Sequence, residues 1–304
     1  MELPTQKPLR ILVTGASGLV GRAVSESLSA QGHTVIPLSH TKRPDTFHWN
    51  PIALTIDTEA LENLDAVIHL AGEPVFGWWS SYKKKQIALT RIQGTRFLCE
   101  QLLQCKVRPK VFIAASASGY YGPGPFTDPL TESSPQGDGF LAHVCSDWEA
   151  AAIPLEEAGT RVIQFRFGTV LGAGGGVLAK MVPLFQRAFP VCVGRKKQRV
   201  CWVALDDVVR MVHYGLVDEA WSGPINAVAP QPVTNSMFAR TLASVLGKRV
   251  WMRVPSWLLR MLIGEMAREL LLADHPLKPQ KLSDLGFTYV YPELQGALKH
   301  ALED

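Results

Sequence analysis

Short apolar runs alternate with amphipathic stretches through the first half of the chain. Residues 9–13, LRILV, end at Thr14-Gly15 and read as a strand buried on both faces of a parallel sheet. Leu19, Val20, Ala23, Val24 and Leu28 then fall on one side of a helix. Gly32 is placed to end that helix, and residues 33–39 read as a second strand. The short-strand pattern returns at 65–70, 111–115 and 161–167. Helices are expected over 80–104 and 140–157, with Pro154 distorting or ending the second. Strand and helix in alternation predict an α/β fold with a doubly wound parallel sheet.

Beyond Gly174-Gly175-Gly176, a hinge-like turn, the pattern changes. Asp206-Asp207 reads as the acidic start of a helix reaching Val217, and 224–229 as a short strand. Thr234 is placed to N-cap a helix that ends before Gly247. The remainder from Val254 reads as helical and apolar, with Pro276 and Pro279 marking a loop. Leu282, Leu285, Phe287, Leu294 and Leu298 are expected in a small core of their own.

Composition narrows the setting. With 47% hydrophobic and 19% charged residues, the 304-residue chain can bury a sizeable core. No apolar run reaches a membrane span, and the opening residues carry no signal-peptide core. The five cysteines are scattered and never spaced as CxxC, which points to reduced thiols in a cytoplasmic protein without structural zinc. A net charge of +4, with basic runs at Lys83-Lys84-Lys85 and Arg195-Lys196-Lys197, is too mild to imply nucleic acid. No membrane partner and no metal are expected, and a homodimer is allowed.

Candidate chemistry starts at the first turn. Gly15, Gly18 and Gly21 follow the first strand at three-residue spacing and open the first helix. A turn of this kind lets a diphosphate approach backbone N–H groups at the positive end of a helix. Gly15 permits the tight turn, Gly18 the close approach and Gly21 the packing of helix on strand. Ser17, Leu19 and Val20 share that segment. The end of the second strand, Ser39-His40-Thr41-Lys42-Arg43, offers a hydroxyl and two cations and no acid, which favours NADP(H) over NAD. Leu70-Ala71-Gly72 ends the third strand with small residues beside the cofactor path, and Gln86 and Arg91 follow on the next helix.

These landmarks together resemble the extended short-chain dehydrogenase/reductase superfamily. The matching segments are Gly15 to Gly21, Leu70-Ala71-Gly72, Arg91-Ile92-Gln93-Gly94-Thr95, Tyr120-Tyr121-Gly122, Arg166-Phe167-Gly168 and Asp206-Asp207. Within it, Ser116-Ala117-Ser118-Gly119, Asp147-Trp148-Glu149, Gly223-Pro224-Ile225-Asn226 and Tyr291-Pro292-Glu293-Leu294 resemble the branch called "epimerase family protein", with its C-terminal domain of unknown function. The resemblance implies NADP contacts at Ser39, His40, Leu70, Ala71, Gln86, Arg91 and Val170. It also implies that residues 9–173 form a Rossmann domain on which 201–225 pack back. Residues 174–200 and 226–304 would form a smaller α+β domain on the substrate side.

One departure matters for activity. Most members carry Tyr-x-x-x-Lys on the helix after the Ser-bearing strand, where the cation makes the phenol an acid–base group. Alignment on Tyr121-Gly122 and Glu149 puts Leu141 and Cys145 there, and Ala117 at the usual Ser. None of the six tyrosines has a Lys four residues later. Substitute groups are Tyr120 or Tyr121 as proton donor and Ser116 or Ser118 to polarise a carbonyl, with His143 a more remote candidate. The expected activity is that of an atypical oxidoreductase or epimerase on a carbonyl or hydroxyl of a small molecule. The alternatives are a non-catalytic NADPH sensor or scaffold and, third, a nucleotide-sugar epimerase. Against the third, Val200 and Ala204 replace the usual Arg and His of a sugar-nucleotide site; neighbouring Arg199 is the one residue able to compensate.

Overall fold

The computed structural model describes residues 7–41, 46–187 and 190–303. The first half runs β1 (Arg10–Thr14), α1 (Leu19–Ala30), β2 (Thr34–Ser39), β3 (Phe47–Asn50), β4 (Thr55–Ile56), β5 (Ala66–His69), α2 (Ser81–Ala88), α3 (Gly94–Leu103), β6 (Val111–Ala117), α4 (Phe140–Ala150), α5 (Ile153–Glu157) and β7 (Arg161–Phe167). The second half runs β8 (Thr169–Leu171), α6 (Leu178–Arg187), β9 (Val191–Val193), β10 (Arg199–Val200), β11 (Trp202–Ala204), α7 (Leu205–Val217), β12 (Gly223–Ala227), β13 (Val233–Thr234), α8 (Asn235–Val245), β14 (Met252–Val254), α9 (Ser256–Met266), α10 (Gln280–Asp284) and α11 (Leu294–Glu303).

The main sheet has eight strands in the order β12-β7-β6-β5-β1-β2-β3-β4. Every pair is parallel except β3 with β4. The chain winds outward from β1 on one side and from β5 on the other. That reversal opens a crevice at the carboxyl ends of β1 and β5, where doubly wound sheets hold ligands.

Strand alternation explains the unbroken apolar runs. Ile11 and Val13 of β1 face one layer, with Val24 and Leu28 of α1 and Val208, Met211 and Leu216 of α7. Leu12, between them, faces the other layer, with Leu98 and Leu102 of α3 and Leu155 of α5. Each fully buried Leu or Ile contributes roughly 1.5–3 kcal/mol. A third cluster, outside the sheet, joins Leu178 and Phe185 of α6, Trp202, Phe238 and Leu242 of α8, and Leu298 of α11.

Several expectations are corrected. The helix expected over 80–104 is interrupted by a π-turn, Leu89–Gln93, between α2 and α3. The Thr90 hydroxyl bonds back to the Gln86 carbonyl there, which loosens the helical ladder. The helix over 140–157 is two helices, with Pro154 in the first turn of α5, where it is tolerated. Leu282, Leu285 and Phe287 pack on the main sheet's core, while Leu294 and Leu298 join the third cluster, so the expected small core does not exist as one unit. Residues 252–254 are a strand beside β9, not the start of a helix. Short elements β3, β4, α6 and β9 to β11 escaped the periodicity because they carry too few residues to show it, or, in α6, an internal Pro183.

Other expectations hold. Gly32 follows the first helix in the left-handed region at φ +83°. The Thr234 side chain accepts from Met237 N and so caps α8. Among the described residues no helix is long and apolar enough to cross a membrane.

Candidate functional site

The cradle at the end of β1 is built by backbone approach. Gly15 takes φ +69°. A Cβ there would lie 2.9 Å from the Ala71 nitrogen, so only glycine lets the ends of β1 and β5 close up. A Cβ on Gly21 would lie 2.2 Å from the Gly15 carbonyl oxygen, which explains how α1 packs down on the turn. Gly18 is the N-cap of α1, without a side-chain cap bond and without an acidic residue in the first turn. A Cβ at Gly18 would meet only the Gly15 carbonyl oxygen, 3.3 Å away, and Ser17 and Gly18 are exposed. The first N–H groups of α1 are thus open to an anion. Leu19 closes the far side, since added Cβ atoms at Gly175 and Gly176 would lie 3.1 and 3.0 Å from its side chain. Val20 packs on the sheet core. The cradle has the shape and donors that a dinucleotide diphosphate requires.

The end of β5 is held by a buried polar chain. Thr14 Oγ1 accepts from Leu70 N and Ala71 N, both at 3.1 Å, and lies 2.8 Å from His69 Nδ1. With both lone pairs engaged, Thr14 must donate to Nδ1, so the imidazole carries its proton on Nε2. Nε2 reaches Thr95 Oγ1 at 2.8 Å, which also accepts from Trp148 Nε1 at 2.9 Å. Burial, helped by the Arg91 charge, pushes His69 down to about 3, so it stays neutral. Arg91 turns inward: Nη1 donates to the Glu73 carbonyl at 2.8 Å, and the guanidinium lies 5.0 Å from the Trp148 ring centre. A Cβ on Gly72 would sit 3.0 Å from that guanidinium. Arg91 therefore braces the strand end that carries Leu70, Ala71 and Gly72. Gln86 is half-buried on α2.

At the end of β2, the Ser39 hydroxyl accepts from Thr41 N at 3.1 Å, and His40 is exposed. Lys42 and Arg43 lie outside the described residues. Val170 pairs with Val203 between β8 and β11.

At the carboxyl ends of β6 and β7, Ser116 stands opposite Arg166. Glu149 of α4 accepts Ser116 Oγ at 2.6 Å, Arg166 Nε at 2.9 Å and Arg166 Nη2 at 2.8 Å. Burial opposes the Arg166 charge, but the Glu149 carboxylate more than offsets it and keeps the guanidinium firmly protonated. Arg166 Nη1 also donates to the Tyr121 hydroxyl at 2.9 Å, which donates to Asn226 Oδ1 at 2.7 Å. Tyr121 is 1% exposed, and burial pushes its phenol up to about 12. Ser116 and Tyr121 are thus walled in and fully bonded. Tyr120 is half-buried, its ring centre is 3.5 Å from the Arg166 guanidinium carbon, and its hydroxyl has no partner among the described residues. Burial pushes the Cys201 thiol up to about 11, an effect that the neighbouring Ser118 hydroxyl partly offsets.

The two positions of the usual dyad form a packing surface. Leu141 and Cys145 are buried, and a Cβ on Gly119 would lie 3.2 Å from Leu141 Cβ and 3.7 Å from Cys145 Sγ. Burial pushes the Cys145 thiol up to about 12, so it is neither a cation nor a thiolate. His143 is exposed and bonded to Gln136 at 3.1 Å. Glu73 is ion-paired with Lys83.

Arg199, beside Val200, is committed to an ion pair. Its Nη2 holds Asp274 at 2.6 Å and its Nε holds the same carboxylate at 3.0 Å. Asp206 and Asp207 do start α7, but Asp207 also receives Val290 N at 2.7 Å and Tyr291 N at 3.1 Å, docking the C-terminal segment. The sequence assigned no role to Thr14, His69, Thr95 or Glu149, whose partners lie far along the chain. It assigned none to Glu269, whose carboxylate caps α4 by accepting Phe140 N at 3.0 Å and Leu141 N at 2.8 Å. A Thr and a His ending neighbouring parallel strands were the one available signal.

Comparisons with known proteins bear on this geometry. Residues 11–225 match the NAD dependent epimerase/dehydratase family, and residues 254–301 match a domain of unknown function, DUF1731. The "Epimerase family protein ML0860" of Mycobacterium leprae is 35% identical over 294 residues, covering 96% of this chain and 95% of its own. A crystal structure of human epimerase family protein SDR39U1 with NADPH superposes with a TM-score of 0.88 at 30% identity, covering 97% of this chain and 100% of that one. The nucleoside-diphosphate sugar epimerase from Corynebacterium glutamicum gives 0.80 at 34% identity, but this chain spans only 58% of that longer one.

Proposed function

The chain belongs to the NAD dependent epimerase/dehydratase family, and from that premise we propose that it binds NADP(H) and transfers hydride to or from a carbonyl or hydroxyl of a small molecule. The glycine cradle between Gly15 and Gly21 carries the binding half of this reading, and the human relative crystallised with NADPH supports the cofactor. Residues 9–173 with 201–225 would hold the cofactor; 174–200 and 226–304 would face the substrate. Ser39, Lys42 and Arg43 would take the 2′-phosphate, each charge-assisted contact contributing about 1.5–3 kcal/mol.

One observation carries the chemical half. Tyr120 is a phenol at the carboxyl end of β6 with an unbonded hydroxyl, and its ring lies on the Arg166 guanidinium. A cation over the ring face attracts negative charge developing on the phenol oxygen. A bound nicotinamide would supply or accept the hydride. Tyr120 would give the substrate oxygen its proton in reduction and take it back in oxidation, with Ser118 as the nearest serine in sequence. The usual dyad has no counterpart, since Leu141 and Cys145 are packed against Gly119.

That same packing favours a second reading, a non-catalytic NADPH sensor or scaffold. Oxidation of NADPH across a broad panel of aldehydes and ketones separates the two: turnover lost in Tyr120→Phe supports the first, and silence of the wild type throughout supports the second. Calorimetric titration of NADPH and NADH tests the cofactor. NADPH should bind more tightly, and Lys42→Glu with Arg43→Glu should weaken it far more than NADH. Equal affinities, or tighter NADH, would sink the NADP assignment. Sugar-nucleotide epimerisation is disfavoured by Val200, Ala204 and the engaged Arg199. Strong thermal stabilisation by a uridine, guanosine or thymidine diphosphate sugar would revive it.

A further inference from the structure

Residues 248–263 carry Lys248, Arg249, Arg253 and Arg260 and no Asp or Glu. Five of their large apolar side chains point to solvent: Trp251 is 72% exposed, Met252 61%, Trp257 66%, Met261 68% and Leu262 55%, while Val250, Val254, Leu258, Leu259 and Ile263 are half-buried. A helix of a water-soluble domain normally buries one apolar stripe. In α9 the sole buried residue is Met266, the last. A recess of about 220 Å³ has Ser236, Arg240, Trp251 and Arg253 in its wall. Arg253 Nη2 donates to Ser236 Oγ at 3.1 Å, while its buried Nε has no partner among the described residues.

We propose that this face adsorbs to an anionic lipid surface, with α9 lying among the headgroups and the Arg240–Arg253 recess taking a lipid phosphate. Exposed Trp and Met with interspersed Arg and Lys are what an interfacial helix needs. The apolar groups enter the headgroup boundary, and the cations stay at the level of the phosphates. A second copy of the chain is a poor occupant, because a two-fold contact would set these four cations against four more. Beyond Gly264, which breaks the helix at φ +56°, Glu265 pairs with Lys84 at 2.8 Å and Gly77 N donates to Met266 Sδ at 3.4 Å, so the end of this segment is tied to the rest of the molecule. Adsorption needs no membrane span, which α9, broken at Gly264, is too short to make.

The test is co-sedimentation of the full chain with large vesicles of phosphatidylcholine alone and of phosphatidylcholine mixed with phosphatidylglycerol. Binding to the anionic vesicles, absent on the neutral ones and falling with salt, is expected. Trp257→Ser with Met261→Ser, and separately Arg249→Glu with Arg260→Glu, should each weaken it at least about tenfold. Both variants should keep wild-type thermal unfolding and NADPH affinity, because these side chains are on the surface. Equal binding to both vesicles, or to neither, overturns the proposal. So does concentration-dependent self-association that Trp257→Ser abolishes, which would assign the face to a second copy.

Discussion

The guanidinium carbon of Arg166 lies 3.5 Å from the ring centre of Tyr120 and 5.2 Å from that of Tyr121, yet the two phenols have opposite fates. Tyr121 uses its hydroxyl to tie Arg166 to Asn226, whereas Tyr120 offers only its ring. Tyr120→Phe should therefore leave stability and NADPH affinity near wild type and cut single-turnover rates by roughly 10²–10⁴-fold. Tyr121→Phe should instead lower stability by about 1–3 kcal/mol, because it strands Asn226 and Arg166. Urea unfolding and stopped-flow NADPH oxidation together separate these outcomes. A Tyr121 variant that unfolds like wild type but has lost turnover would exchange the two roles.

Glu149 and Arg166 form a buried ion pair with side chains 11% and 3% exposed. Glu149→Gln or Arg166→Met alone should cost about 3–5 kcal/mol, since each leaves a buried charge unpaired. The double variant should cost clearly less than the sum of the two. Additive losses in a double-mutant cycle would show that the pair does not act as a unit.

Acid should weaken the fold through histidine. Burial lowers His69 to about 3, with the Arg91 charge adding to it, and burial lowers His213 to about 4, with His33 adding. The unfolded chain takes up these protons near its ordinary value of 6.5 and the folded chain does not. The stability is thus complete above pH 6.5 and falls as pH drops from there towards 4, each group adding a slope of at most about 1.4 kcal/mol per pH unit. His213→Gln should flatten the slope while retaining a partner for Ser27, which now sits 2.9 Å from His213 Nε2. An unfolding free energy independent of pH between 6.5 and 4.5 would refute this account.

The three glycines of the first turn should fail differently. Gly21→Ala places a methyl 2.2 Å from the Gly15 carbonyl, and should destabilise the fold as well as abolish NADPH binding. Gly18→Asp meets little protein but sets a carboxylate where the diphosphate would lie. It should unfold like wild type and lose NADPH affinity at least about tenfold. Undiminished binding in a folded Gly18→Asp protein would move the cofactor elsewhere.

The glycine turn and the longer strands of the main sheet were legible because their determinants are local. Strand β7 appeared at its observed bounds, residues 161–167, because Val162, Ile163, Phe165 and Phe167 mark it even with Arg161, Gln164 and Arg166 among them. The chemistry was less legible. The segment around Tyr120 and Tyr121 could be picked out, but only Arg166, 45 residues beyond Tyr121, shows which phenol is engaged. Leu141 and Cys145 were recognised as lacking acid–base function. That they pack on Gly119 emerges only in three dimensions: Leu141→Tyr with Cys145→Lys should crowd that turn rather than create the usual dyad. The core assignment of Leu282 and Phe287 erred because an apolar spacing tells how much is buried, not against which partner.

Glu269 reaches from the match at 254–301 to the first turn of α4 inside the match at 11–225. The two stretches are separate in sequence, yet the first helical N–H groups of one are satisfied by a carboxylate of the other. A gene cut between them would yield a front half with an uncapped helix at its candidate site and a tail whose buried acid has lost its partners. Recombination that shuffled either piece into a new context would be penalised on both sides of the junction. The pair should therefore travel through evolution as one indivisible unit, and a tail supplied in trans should restore the front half only by refolding onto it.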